Sequence, residues 1–363
     1  MKKSTFLYLL FSLILCNGAE AQTPTFKSYS QFDFVSGEKV VAFEDFAQAA
    51  IGDFPAKWNG NGSGEVVTIE GLTGRWLQFK GNTQAFPDFV NNLPENFTLE
   101  FEMAANPEET YLARWLGLFF TPHTEAAKLF GAHNQGKVEL TFSPYFKTGG
   151  ISVLVYDGAA KRVFQNRAGT IKFACPQKSV VKVAIWRQKN RLRVYLDEEK
   201  IWDVPNAFDE ATSYKRFLFK VNNLRPNQYF YISGFRLAVG APDTRSKLIT
   251  DGRFVTTGIL FDSNSDKIKP ESYGTLKQIA QVLQENAEVK VRIVGHTDSD
   301  GDDAKNLDLS KRRAAAVKEN LSREFGIEAA RLQTDGKGES QPTAPNTTPE
   351  GKANNRRVEF IKM

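Results

Sequence analysis

The chain has 363 residues, too many for one ordinary hydrophobic core, so two domains are expected. Hydrophobic residues make up 41% and aromatics 12%, which excludes a disordered chain, and the 29 phenylalanines favour a β-rich core. Net charge is only +5, and residues 246–363 hold 19 Lys and Arg against 18 Asp and Glu, so no broad basic field exists to hold nucleic acid.

The N-terminus reads as an export signal. Lys2 and Lys3 precede an apolar stretch from Phe6 to Leu15 that is too short to span a bilayer, and Ala19-Glu20-Ala21 offers small residues for cleavage. The expectation is a signal peptide at 1–21 and a mature chain from Gln22. Lipidation at Cys16 is the rival, and bulky Leu15 directly before it argues against it. Only Cys175 outlasts cleavage, so no intrachain disulfide is expected and stability must come from packing. No other stretch is apolar enough for a membrane helix, so a periplasmic protein, soluble or peripherally attached to the outer membrane and wall, is expected.

Residues 22–240 read as an all-β antiparallel sandwich, jelly-roll-like. "FTLEFEM" alternates Phe97, Leu99, Phe101 and Met103 with Thr98, Glu100 and Glu102, and "VKVAIW", "RLRVYL" and "GISVLVY" repeat that period. Asn59-Gly60, Gly149-Gly150, Asp157-Gly158 and Lys189-Asn190 supply the turns. A membrane barrel competes, but its strands need about 9–11 residues and the runs here are shorter.

"GAPDTRSK" marks a linker, placed at 241–250, and the pattern then changes to alternating strand and helix over 251–363. "FVTTGILF" and "VKVRIVG" read as strands. Pro270 opens a helix carrying Leu276, Ile279, Ala280 and Leu283 at helical spacing. A second helix, starting near Asn306, carries Leu309, Val317 and Leu321 and ends at Gly326, and "RRVEFIK" closes the chain as a strand. The expected domain is an α/β layer of order β-α-β-α-β.

The charges in "GHTDSDGDDAKNLDLSKRRAAAV" single out a site. Arg313 lies in register with Leu309, Val317 and Leu321, on the apolar face, where a guanidinium is costly unless paired. Asp298 follows directly on a strand's carboxyl end, where α/β layers gather ligands. One carboxylate for an ammonium and one guanidinium for a carboxylate suit a ligand bearing both groups on one carbon. An internal Asp298–Arg313 salt bridge explains the spacing equally well.

Together with "ILFDSNSDKI", "GKGESQP" and "NNRRVEF", this stretch resembles the OmpA-like peptidoglycan-binding domain across essentially the whole of residues 254–363. The resemblance implies peptidoglycan as partner, through the diaminopimelate of its stem peptide, whose free end carries an amino and a carboxyl group. It implies that Asp298 takes the ligand ammonium and Arg313 its carboxylate. Ser263 and Asn264 would stand at the rim, Thr297, Asn306 and Leu309 would shape the pocket, and one of Arg356 and Arg357 would face the site. His296 is read as structural. The loop is more acidic than the family commonly shows, and D-x-D-x-D at 298, 300 and 302 hints at calcium. An EF-hand would want Gly at 303 and Glu at 309, where this chain has Asp303 and Leu309, so no metal is expected.

"RQKNRLRVYLDEEKIWDVPNAF" resembles the concanavalin/laminin-G-like sandwich superfamily, which implies a recognition or scaffold module for a glycan or another envelope protein. Trp58, Trp76, Trp115, Trp186 and Trp202 are available for sugar stacking, but core packing is the commoner role. A glycan-hydrolysing or glycan-binding sandwich anchored by the wall domain is the alternative. Hydrolysis needs two carboxylates across a cleft. The candidate run Asp197-Glu198-Glu199 reads as a hairpin turn, and His123 and His133 lack a metal-like neighbourhood. A non-catalytic envelope protein without cofactor is expected.

Overall fold

The computed structural model describes residues 33–106, 114–131, 137–143, 149–171, 178–222, 224–240, 244 and 246–363. The expected signal peptide, Cys175, His133 and part of the expected linker lie outside the described residues.

Two antiparallel sheets of eight and seven strands build the N-terminal half. Asn96–Ala105 and Phe230–Val239 pair at the centre of the first sheet, and Trp115–Thr121 and Arg216–Asn222 at the centre of the second. The alternation of "FTLEFEM" works as expected on one face: Phe97, Leu99, Phe101 and Met103 enter a core shared by both sheets. Trp58, Trp76 and Trp202 are buried, whereas Trp115 and Trp186 are half-buried. The Asp197-Glu198 pair forms the hairpin turn between Arg191–Leu196 and Glu199–Val204, with Asp197 at φ 51°.

In the C-terminal half, four strands lie in the order Arg253–Thr256, Val358–Lys362, Val291–Gly295, Leu332–Gly336, the last pair parallel. Helices Tyr273–Glu285 and Asp303–Phe325 bury Leu276, Ile279, Leu283, Ala314, Val317 and Leu321 in the same core as Val291, Ile293 and Phe360. Leu248, within the expected linker, is fully buried in that core. The expected β-α-β-α-β order needs two additions, the strand Leu332–Gly336 and the helix Pro349–Asn355. Leu332 is the only large apolar residue of that strand, and the helix has no apolar period. The first strand ends at Thr256 instead of continuing to Phe261. The long helix starts at Asp303 because the Asp302 side chain caps it, accepting from Lys305 N at 3.0 Å.

The halves are joined by polar contacts on the outer face of the eight-stranded sheet. Arg236 Nη2 donates to Thr257 Oγ1 at 2.6 Å, and Lys182 pairs with Glu271 at 2.9 Å. Val40 N donates to Asn354 Oδ1 at 3.0 Å and Val40 O accepts from Asn354 Nδ2 at 2.9 Å. The latter pair ties the strand Lys39–Glu44 to the helix Pro349–Asn355.

Candidate functional site

Close backbone packing sets the site. A Cβ on Gly295 would sit 2.2 Å from Ser310 O, and one on Gly336 would sit 2.4 Å from Lys311 N. Only glycine lets the helix Asp303–Phe325 press this tightly on two neighbouring strands. Arg313, one turn further along, is thereby brought to the strand's carboxyl end. There His296 N donates to Arg357 O and Thr297 N to Gly338 O, both at 3.0 Å, which pins the chain entering Asp298.

Arg313 and Asp298 do not pair with each other. The Arg313 guanidinium lies 4.8 Å from the Phe261 ring centre, and its Nε donates to Ser265 O at 2.9 Å and Nη2 to Asp262 O at 3.4 Å. The turn after Phe261 therefore acts through backbone carbonyls. Asp298, with a side chain 11% exposed, accepts from Asp300 N at 3.2 Å through Oδ1 and from Arg356 through Oδ2. Arg356 in turn stacks on Phe43 of the sandwich, 5.2 Å from the ring centre.

A cavity of about 120 Å³ is lined by Arg313, Arg356, Arg357, His296 and Phe261, and by Phe43 and Arg236 from the sandwich. Burial first, then the nearby Arg356 guanidinium, pushes the Arg313 pKa down to about 10, with Asp298 opposing. Arg313 thus stays cationic at neutral pH. Arg313 and Arg356 both line the cavity, whereas Asp298, which Arg356 holds, stands beside it and is not part of its lining. Arg313 has no carboxylate partner among the described residues, and its positive charge favours an anion.

The other candidates serve the frame. Thr297 is buried. Asn306 Nδ2 reaches Glu339 Oε2 at 2.7 Å and Asp300 O at 3.1 Å, clamping the acidic loop. Leu309 is buried on the helix. Ser263 and Asn264 stand exposed on the turn, Asn264 in the left-handed region at φ 53°, and among the described residues neither lines the cavity. Of the two arginines, Arg357 is buried and held by Glu359 and by Gln341 O at 2.9 Å, whereas Arg356 is the one on Asp298. In the acidic loop, Asp302 caps the helix and Asp300 pairs with Lys352 at 2.6 Å. Phe43, Arg236 and Phe261 escaped the reading of the sequence. Phe261 was legible as the apolar residue opening "FDSN", but nothing in the N-terminal sequence marks Phe43 or Arg236 as neighbours of this site.

His296 lines the cavity at 3% exposure, with Nε2 3.3 Å from Glu359 Oε1. Burial, then Arg357, lowers its pKa to about 4, although Glu359 opposes. The folded chain therefore holds a neutral ring at pH 7. Between about pH 4 and 6.5 the unfolded state binds the extra proton, so stability falls as pH drops through that window, by at most roughly 1.4 kcal/mol per pH unit. Urea melts at pH 7 and 4.5 should show a smaller loss in His296→Gln than in the parent. An equal loss in both would contradict the neutral buried ring.

A family model described as the OmpA family matches residues 260–356. Outer membrane porin F of Pseudomonas aeruginosa is 44% identical over 105 residues, which are 29% of this chain and 30% of the porin. Outer-membrane lipoprotein YfiB of the same organism is 42% identical over 107 residues, 30% of this chain and 63% of the lipoprotein. The chain thus spans less than two thirds of either relative. A solved structure, the peptidoglycan-associated lipoprotein from Burkholderia pseudomallei, is 30% identical and aligns over 29% of this chain and 88% of its own, with TM-score 0.27. Among the described residues no helix is long and apolar enough to cross a membrane.

Proposed function

We propose, from the premise that residues 260–356 are an OmpA family domain, that this chain is a non-catalytic envelope protein anchoring to peptidoglycan. The ligand is the zwitterionic end of diaminopimelate in the stem peptide. Its carboxylate sits against Arg313, and its ammonium takes the place of the Arg356 guanidinium on Asp298. The observation that carries this reading is the half-buried Arg313 guanidinium, without a carboxylate partner among the described residues, beside the almost buried Asp298 that Arg356 holds. A carboxylate relieves the repulsion between the two cations, and an ammonium offers Asp298 an alternative charge-assisted bond. The sandwich serves as a scaffold and recognition module in the periplasm.

The exported chain should co-sediment with purified diaminopimelate-type sacculi, and free diaminopimelate should release it. Lysine-type sacculi, whose stem peptide lacks the second carboxylate, should retain far less. Equal retention on both wall types would remove the zwitterion from the argument.

A further inference from the structure

The zwitterion cavity is not bounded by the OmpA family domain alone. Phe43 also lines a second, larger groove of about 520 Å³ between the halves. One wall of that groove is the end of the strand Lys39–Glu44 and the loop after it, including Asp45 and Lys57. The other wall is Asp300, Asn346, Lys352 and Arg356. Phe43 and Arg356 line both spaces, so their stacked pair is the partition between them. A ligand ammonium in place of Arg356 on Asp298 would remove the bond that holds one side of that partition.

The sizes divide the work. About 120 Å³ accommodates an amino-acid terminus. The larger volume, about 520 Å³, falls in the range of roughly 300–1,000 Å³ typical of ligand clefts. The reciprocal Val40–Asn354 bonds hold the walls at a fixed separation beside the groove. The lining mixes both signs of charge with the amide of Asn346, which suits a polar peptide bearing amides and free carboxylates better than an apolar molecule.

We propose that this groove is a second subsite, binding the peptide chain that leads away from the diaminopimelate terminus, so that the sandwich reads the wall ligand together with the OmpA family domain. The proposal rests on the function proposed above. Its test is calorimetric titration of the full exported chain with free diaminopimelate and with a diaminopimelate-containing stem tetrapeptide. The tetrapeptide should bind at least tenfold more tightly. The double charge reversal Asp45→Lys/Lys57→Glu should weaken the tetrapeptide at least fivefold and leave free diaminopimelate unchanged. Equal affinity of the two ligands for the parent chain would overturn the subsite, as would a double variant that weakens both ligands alike or neither. If the tetrapeptide binds and responds to the charge reversal while free diaminopimelate does not bind, the subsite stands and the zwitterion-terminus reading falls. If neither ligand binds, both fall.

Discussion

Arg313→Ala is expected to weaken binding of free diaminopimelate and of sacculi by about 100-fold or more. The helix Asp303–Phe325 supplies this guanidinium from its apolar face, and the turn after Phe261 holds it with a ring and two carbonyls. Of its five N–H donors, two are spent on those carbonyls, which leaves others for a ligand carboxylate. Each charge-assisted bond lost costs about 1.5–3 kcal/mol, so two amount to ~3 kcal/mol or more, near 100-fold. Arg313→Lys should restore little, because a single ammonium cannot bond the carbonyls and grip a carboxylate together. Asp298→Ala should also abolish retention on sacculi, through the ammonium end. Circular dichroism must show both variants folded. Wall retention by folded Arg313→Ala and folded Asp298→Ala would leave the pocket without support.

Much of this site could be read from residue spacing, for a physical reason. Helical period places Arg313 with Leu309, Val317 and Leu321 whatever the tertiary context, and a strand's carboxyl end is fixed by where the apolar run stops, at Gly295 before Asp298. What spacing cannot show is which cation answers which carboxylate. Asp298 finds Arg356, 58 residues away, because the last helix and strand return beside the second strand. The helix Pro349–Asn355 carries no apolar period, yet Thr348 caps it by accepting from Gly351 N at 3.0 Å, and Pro349 occupies its first turn. Those two signals were present in the sequence. The sandwich misled in a different way. Thr98 and Glu100 alternate with core residues and so read as solvent-facing, but they are only 2% and 3% exposed. Their face is covered by the segment around Ser36 and by the C-terminal half. A period of two reveals that a strand has two faces, and it is silent on what covers the second.

That covered face carries the largest expected effect on stability. Arg236→Ala is expected to cost about 3–5 kcal/mol, because removing one partner of a buried pair strands the other. The Arg236 and Glu100 side chains are 8% and 4% exposed, and Nη1 meets Glu100 Oε1 at 2.7 Å. Ser36 completes the cluster, and Thr257 on the far side accepts from Nη2 at 2.6 Å. Burial alone would raise the Glu100 pKa, but Arg236 and then Lys182 outweigh it and hold the carboxylate below its usual range. The stability this pairing contributes is present above the ordinary glutamate pKa and is lost as pH falls through the depressed value. Without Arg236, Glu100 keeps, among the described residues, the more distant Lys182 ammonium at 3.8 Å as its cation. Because Thr257 belongs to the C-terminal half, the variant should also separate one cooperative denaturation into two transitions, one for each half. The double variant Arg236→Leu/Glu100→Leu should recover much of the loss, since no charge is then left stranded. A double-mutant cycle should therefore give a coupling energy of about 2 kcal/mol or more. Additive losses, or a single unshifted transition in Arg236→Ala, would mean that the pair neither couples these residues nor joins the two halves.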